Sequence, residues 1–213
     1  MKITSIEPQK RNKKRFSLYI DDKFYMGIDE DVIIKHFLTK GMEVDEEFLN
    51  NIIKTEEKSK AINTACNYLG FKPRTEKEVR TKLKDKGFDE DIINNTIEFL
   101  YKYNYLNDYS YGKSLINDKK TFKKAGKGLL KQELYKKGIN KDIIEELVEE
   151  SYDYDEEYSM AYELALKKYK LIKNEDKNAI YRKLSSLLGR KGYSFDIINK
   201  VIKEVSNNDI ELY

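Results

Sequence analysis

Apolar residues recur with helical spacing along most of this chain, and the same arrangement appears three times. Val79/Leu83, Leu130/Leu134 and Leu184/Leu188 are pairs four residues apart, each closing the apolar stripe of an amphipathic helix. Each pair is followed by a Lys-Gly-apolar phrase: Lys86-Gly87-Phe88, Lys137-Gly138-Ile139 and Lys191-Gly192-Tyr193. A polar residue that suits a helix N-cap comes next (Asp89, Asn140, Ser194), and then an Asp-Ile-Ile run at Asp91, Asp142 and Asp196. Glycine takes a left-handed backbone without steric cost, so it ends one helix, and the cap begins another. An acid in the first turn then favours the positive end of the new helix. The phrase therefore predicts a helix-turn-helix corner, repeated at intervals of about fifty residues.

Upstream of each corner the pattern predicts one more helix. Ala61, Ala65 and Leu69 form the stripe of a helix over about Lys58–Leu69, ended before Pro73, and Thr75-Glu76-Lys77-Glu78 is a capping box for its successor. The second copy opens near Tyr109–Asp118 and the third near Glu156, with Ala161, Leu164 and Ala165. The N-terminal stretch alternates with period two instead. Lys2–Ile6, Phe16–Ile20 and Lys23–Met26 are expected strands, with a tight turn at Asp21-Asp22. Asp29 is placed as the cap of a short helix carrying Val32, Ile33 and Phe37, and Asp45 as the start of another through Phe48, Ile52 and Ile53. A charged join at Thr55–Ser59 is expected before the first repeat. The fold class is thus mainly α: three tandem three-helix repeats in an elongated curved array, preceded by a small β-hairpin and helix extension. The boundaries fall at 1–57, 58–107, 108–155 and 156–213.

Composition narrows the chemistry. The chain has one histidine (His36) and one cysteine (Cys66). That excludes a zinc site built from several His and Cys ligands and any intramolecular disulfide, and it points to a reducing, cytoplasmic setting. Gly126-Lys127-Gly128 lacks the spacing of a phosphate loop. No carboxylate pair stands out as acid and base, no cofactor is implied, and an enzyme is not expected. There is no membrane-length apolar run.

Net charge is only +3, but it is segregated. Lys10, Arg11, Lys13, Lys14 and Arg15 crowd an expected loop between the first two strands. Lysines dominate Lys119–Lys137, and Asp142–Glu157 is acidic without a cation. These runs are either solvated faces that neutralise each other or contacts for phosphate and charged partners. Lys124, Lys127 and Lys131 are expected on one helix face, with Lys123 beside them. Together with Arg74, Arg80, Arg182 and Arg190 they are the candidate partner- or DNA-binding residues of the helical part.

The chain resembles the RecX family of regulatory proteins. The resemblance is carried by Ala65-Cys66-Asn67-Tyr68-Leu69, by Pro73–Val79, and by Leu83 through Lys86-Gly87-Phe88. It continues through Tyr105–Tyr109, Gly126, Leu130, Glu133-Leu134 and Lys137-Gly138-Ile139. The opening Ile6–Lys10 and Phe16–Asp22 are similar to the N-terminal extension of its longer members. Gly112 departs from the family's usual alanine, which should weaken its helix by about 1 kcal/mol. The resemblance implies a monomeric, non-enzymatic modulator that lies in the groove of the RecA filament on single-stranded DNA. Members of the family typically suppress strand exchange and the recombinase's ATP hydrolysis, or promote filament disassembly, with a weak direct DNA contact as a further expectation. A helix-turn-helix protein that binds DNA directly is the alternative, although Asp91, Asp142 and Asp196 would meet phosphate repulsion there.

Overall fold

Strands form where the alternating pattern places them, and run further than it suggests. β1 (Ile3–Gln9), β2 (Asn12–Ile20) and β3 (Lys23–Asp29) make an antiparallel meander in the order β1-β2-β3. Asp21 and Asp22 both take positive φ, 47° and 62°, as a two-residue hairpin with the right twist requires. The computed structural model describes residues 1–10 and 12–207. Within them the expected basic loop over Pro8–Arg15 shrinks to its tip at Lys10, because both strands continue into it. Register there jumps from Pro8↔Phe16 to Gln9↔Asn12, so Lys13, Lys14 and Arg15 lie on a bulged strand and not in a loop.

A short helix α1 (Glu30–Lys35) and a long helix α2 (Glu46–Phe71) cover the sheet. Ile3, Leu18, Ile20 and Ile28 pack against Val32, Leu38, Val44, Leu49 and Ile52. Asp45 caps α2 as expected, accepting from Phe48 N at 2.8 Å. Three expectations fail here. Asp29 flanks α1 without capping it, because its carboxylate is held by Arg15. Phe37 does not join the apolar face: it takes φ 51° just past the helix and is 83% exposed, while Leu38 turns inward, its N–H on Ile33 O. And no join interrupts Thr55–Ser59. No glycine or proline stands between Glu46 and Leu69, so charge alone does not break the helix, and the expected boundary at 57/58 falls inside α2.

The chain divides into two compact units. One holds Met1–Pro73 with Val79–Leu106; the other holds Arg74–Glu78 with the described residues from Asn107 onward. In the first, α2 packs with α4 (Glu90–Lys102) around Ala61, Ala65, Ile93, Ile97 and Leu100, and Val79 and Leu83 of α3 (Glu76–Asp85) join this core. In the second, α5 (Asp108–Lys123), α6 (Lys127–Lys136) and α7 (Lys141–Ser151) enclose Ile116, Leu130, Leu134, Ile144 and Val148. There α8 (Tyr154–Tyr169), α9 (Lys177–Arg190) and α10 (Phe195–Asn207) enclose Ala161, Ala165, Leu184, Leu188 and Val201.

The three corners are built alike. Gly87, Gly138 and Gly192 have φ of 81°, 79° and 84°. The residue after each glycine donates back to the carbonyl of Leu83, Leu134 or Leu188, and the glycine N–H reaches Lys84, Tyr135 or Gly189. That double bond is the Schellman closure, and it seats Phe88, Ile139 and Tyr193 against the leucine of the preceding helix. Asn140 and Ser194 cap their helices through their side chains. Asp89 does not.

α5 is longer than its pattern suggests and absorbs Lys119–Lys123; Lys124 ends it at φ 47°. Lys123 and Lys124 therefore do not share a helix face with Lys127 and Lys131, which belong to α6. Gly112 also has a reason beyond propensity. A Cβ there would lie 2.6 Å from Leu147 Cδ1, so the glycine lets α5 approach α7 closely.

Candidate partner-binding surface

The candidate cations separate into those the fold consumes and those it leaves at the surface. Arg15 is consumed: it donates to Asp29 at 2.9 Å, to Glu56 at 2.8 Å and to Gly27 O. Glu56 is fully buried on α2 and also accepts from Asp29 N at 2.7 Å, so this cluster ties the sheet to α2. Arg80 bonds Asn94 at 2.7 Å, with Glu90 at 3.5 Å. Lys124 pairs with Glu163, Lys127 with Glu149 at 3.0 Å, and Lys131 with Glu145 at 3.8 Å. The basic and acidic runs of the second unit thus neutralise each other across α5 to α8.

Lys10, Lys13, Lys14, Lys123, Arg182 and Arg190 are exposed, and among the described residues none has an acidic partner within ion-pair distance. Arg11 lies outside the described residues. Arg74 is half-buried. Burial raises the nearby Glu78 carboxyl, but bonds from Lys137 and Thr75 N and the charges of Lys137 and Arg74 prevail, and it stays below the ordinary carboxylate range.

The most organised polar geometry lies where the first turn of one helix meets the corner of another, within the second unit. Thr75 Oγ1 donates to Lys137 O at 2.8 Å, Glu76 N to Asp108 Oδ1 at 2.9 Å, and Lys137 Nζ to Glu78 at 2.8 Å. Thr75 and Glu78 also close the expected capping box. The start of α6 repeats the scheme. Gly126 N donates to Lys191 O at 2.8 Å, Gly128 N to Gly192 O at 2.9 Å, and Lys127 N to Glu157 Oε1 at 2.9 Å. N–H groups at a helix start lack intrahelical partners, and these bonds satisfy three of them. Gly126-Lys127-Gly128 is therefore a docking joint. Added Cβ atoms at Gly126 and Gly128 would stand 2.9 and 2.8 Å from the Gly192 backbone, which is why glycine sits at both.

Behind this joint, the carbonyls just past the end of α5 are taken by Tyr193 OH (on Lys124 O, 2.8 Å) and Tyr152 OH (on Ala125 O, 2.6 Å). Burial, and then neighbouring charges, push both phenols well up, so they remain donors. Asp108 and Glu157, each 6% exposed, were not among the sequence candidates. A signal for them did exist: each lies four residues ahead of a small residue, Gly112 or Ala161, in its helix.

His36 and Cys66 are placed for packing. The His36 ring meets Phe48 edge-on, and its Nε2 lies 3.0 Å from Thr55 Oγ1. Burial and the adjacent Lys35 lower its pKa, and burial raises that of Cys66. Among the described residues, no helix is long and apolar enough to cross a membrane.

A tandem three-helix repeat protein whose polar geometry is spent on seating helix starts, and whose unpaired cations lie at its surface, belongs to the class of binding and regulatory proteins. Residues 1–45 match the regulatory protein RecX N-terminal domain, and 61–100, 107–148 and 155–202 match the first, second and third RecX three-helix domains. The regulatory protein RecX of Clostridioides difficile is 42% identical over 207 residues, covering 97% of each chain. That of Clostridium perfringens strain SM101 is 38% identical over 210 residues, covering 98% of each. A crystal structure of a regulatory protein RecX superposes with TM-score 0.80 at 28% identity, over 94% of this chain and 98% of the other. RecX from Lactobacillus salivarius gives 0.66 at 30% identity, over 71% and 97%. The chain belongs to the RecX family of regulatory proteins.

Proposed function

We propose that this protein binds the RecA filament on single-stranded DNA as a monomer in the cytoplasm, and that it suppresses strand exchange and ATP hydrolysis without catalysing a reaction itself. The observation that supports the reading is the tandem array of RecX three-helix domains along the chain. Units repeated along one chain suit a partner that is itself a repeating polymer, since several modest interactions in register add as multivalent binding.

The surface cations define the electrostatic share of that binding. Lys191, next to Arg190 in sequence, reaches Lys123 O. Arg182 stands two helical turns back on α9. Reversing Lys123, Arg182 and Arg190 together is expected to weaken binding to RecA-coated single strands. It should also lower the salt slope by about one unit for each phosphate that is no longer neutralised. Reversing Lys124, Lys127 and Lys131 is expected to leave that slope unchanged, because those charges already face glutamates. Titration with duplex DNA alone runs in parallel. Binding there as tight as to RecA-coated strands would overturn the RecA reading in favour of direct DNA binding. The protein alone is expected to release no phosphate from ATP.

A further inference from the structure

The Lys137-Gly138 and Lys191-Gly192 corners each hold the start of another helix, and they do so with the same three groups: a corner carbonyl, the corner glycine's open face, and a carboxylate from the helix ahead. The Lys86-Gly87 corner has the corresponding residues and, among the described residues, holds no helix start. Glu57 stands four residues ahead of Ala61, as Asp108 does ahead of Gly112 and Glu157 ahead of Ala161. Asp108 and Glu157 are buried beneath the helix starts they cap, whereas Glu57 is exposed and, among the described residues, has no bonded partner. Beside the corner it lines a cavity of about 590 Å³ with Lys54, Lys58, Asp89 and Asp91, a mixed-charge lining that does not include Lys86 or Gly87. Added Cβ atoms at Gly138 and Gly192 would overlap Lys77 and Leu129, but at Gly87 nothing lies within 4 Å. No donor among the described residues reaches Lys86 O or Gly87 O.

We infer that the Glu57–Lys86–Gly87 corner is a vacant socket for a helix N-terminus, and that its occupant is a helix of RecA that begins with Ser, Thr or Gly. The choice of RecA rests on the reading that this protein binds the RecA filament; the rest comes from the two filled corners. A helix start carries partial positive charge and free N–H groups, and Glu57 is in the sequence position of the one carboxylate, Asp108 or Glu157, that accepts such an N–H at each filled corner. The filled corners show which N-caps fit: Thr75, whose hydroxyl donates to the corner carbonyl, and Gly126, whose bare N–H does so. A second copy of this chain is a poor occupant. The equivalent helix start it would offer is that of α9, where Asp176 already caps Ala179 N. A carboxylate has no hydrogen to give Lys86 O and would meet the Glu57 carboxylate.

The test is binding of full-length Glu57→Lys, Glu57→Gln and Gly87→Asn to RecA-coated single-stranded DNA, with Glu98→Lys on the exposed side of α4 as control. Each site is open, and asparagine tolerates positive φ, so melts are expected to show all four variants folded. Losing a charged acceptor for helix N–H groups corresponds to a weakening of about ten- to a hundredfold for Glu57→Lys. Glu57→Gln, which keeps an acceptor oxygen, is expected to fall between it and the parent. Gly87→Asn, which intrudes on the socket, should also weaken binding, and Glu98→Lys should not. If the parent binds and Glu57→Lys and Gly87→Asn bind equally well, this inference is overturned while the proposed function stands. No binding by the parent overturns both. Concentration-dependent self-association in sedimentation, abolished by Glu57→Lys, would make the occupant a second copy and overturn it as well.

Discussion

The Gly87 corner and the Gly192 corner have the same backbone and opposite surroundings. Their φ angles differ by 3°, and their Schellman bonds are equivalent. Yet one glycine faces open space while the other is pressed against the first turn of α6. The local sequence specifies the corner, and what lies opposite decides whether its carbonyls and carboxylate are spent. Within one chain, the same device serves as a structural joint and as an unfilled surface.

Alanine at the corners sharpens that comparison most. All three glycines carry the cost of a side chain at positive φ, about 1 kcal/mol. At Gly192 the new Cβ also meets the backbone of Leu129, which cannot swing away, so Gly192→Ala should lose about 3 kcal/mol or more in thermal or urea unfolding. Gly138→Ala meets the Lys77 side chain, which can move, and should cost about 2 kcal/mol. Gly87→Ala should cost the backbone strain alone. Equal losses at Gly87 and Gly192 would break the comparison.

The carboxylates should follow the same order with smaller effects. Glu157→Ala leaves the Lys127 N–H buried without its acceptor and should cost about 1–3 kcal/mol by chemical denaturation. Glu57→Ala removes an exposed side chain and should stay within about 0.5 kcal/mol.

Asp108 makes the buried carboxylate visible through pH. Burial raises its folded-state pKa despite the bond from Glu76 N, and Glu76 and Glu78 add to the rise. The unfolded chain therefore ionises first, and this residue's contribution to stability declines as pH rises from about 3.8, its ordinary value. Asp108→Asn removes that decline. Unfolding curves of parent and variant should differ most near neutrality and converge below that value. A difference that grows on acidification would contradict the assignment.

The smallest effect is expected from the lysine pairs. Reversing Lys124, Lys127 and Lys131 one at a time should change the melting temperature little, because their partners Glu163, Glu149 and Glu145 are more than half exposed and screened by water. A large loss at any one of them would mean that the charge segregation holds the second unit together.

Much of this fold was legible because it is local. The leucine pairs, the glycines and the polar residue after them each act within a turn or two, so the corners and helix order could be read directly. What failed was long-range. The charged stretch Thr55–Ser59 looked like a break because nothing nearby reveals that Arg15, forty-one residues earlier, neutralises Glu56. The same pairing takes Arg15 out of the basic loop and Asp29 out of its capping role. Lys123 to Lys131 looked like one face because a helical period runs on through Ala125-Gly126, where the backbone turns left-handed at Lys124. The candidate surface was the least legible part: lysines drew attention by number, while Glu57 is one acid among 38 until its equivalents are seen buried.

A photoactivatable amino acid at Lys86, compared with one at Lys191, tests the central contrast most directly. On RecA-coated single-stranded DNA, a label at Lys86 is expected to cross-link to a RecA peptide that contains a helix start, while a label at Lys191 should capture this chain's own α6 region. Cross-links to RecA of equal yield from both positions, or from Lys191 alone, would contradict the account.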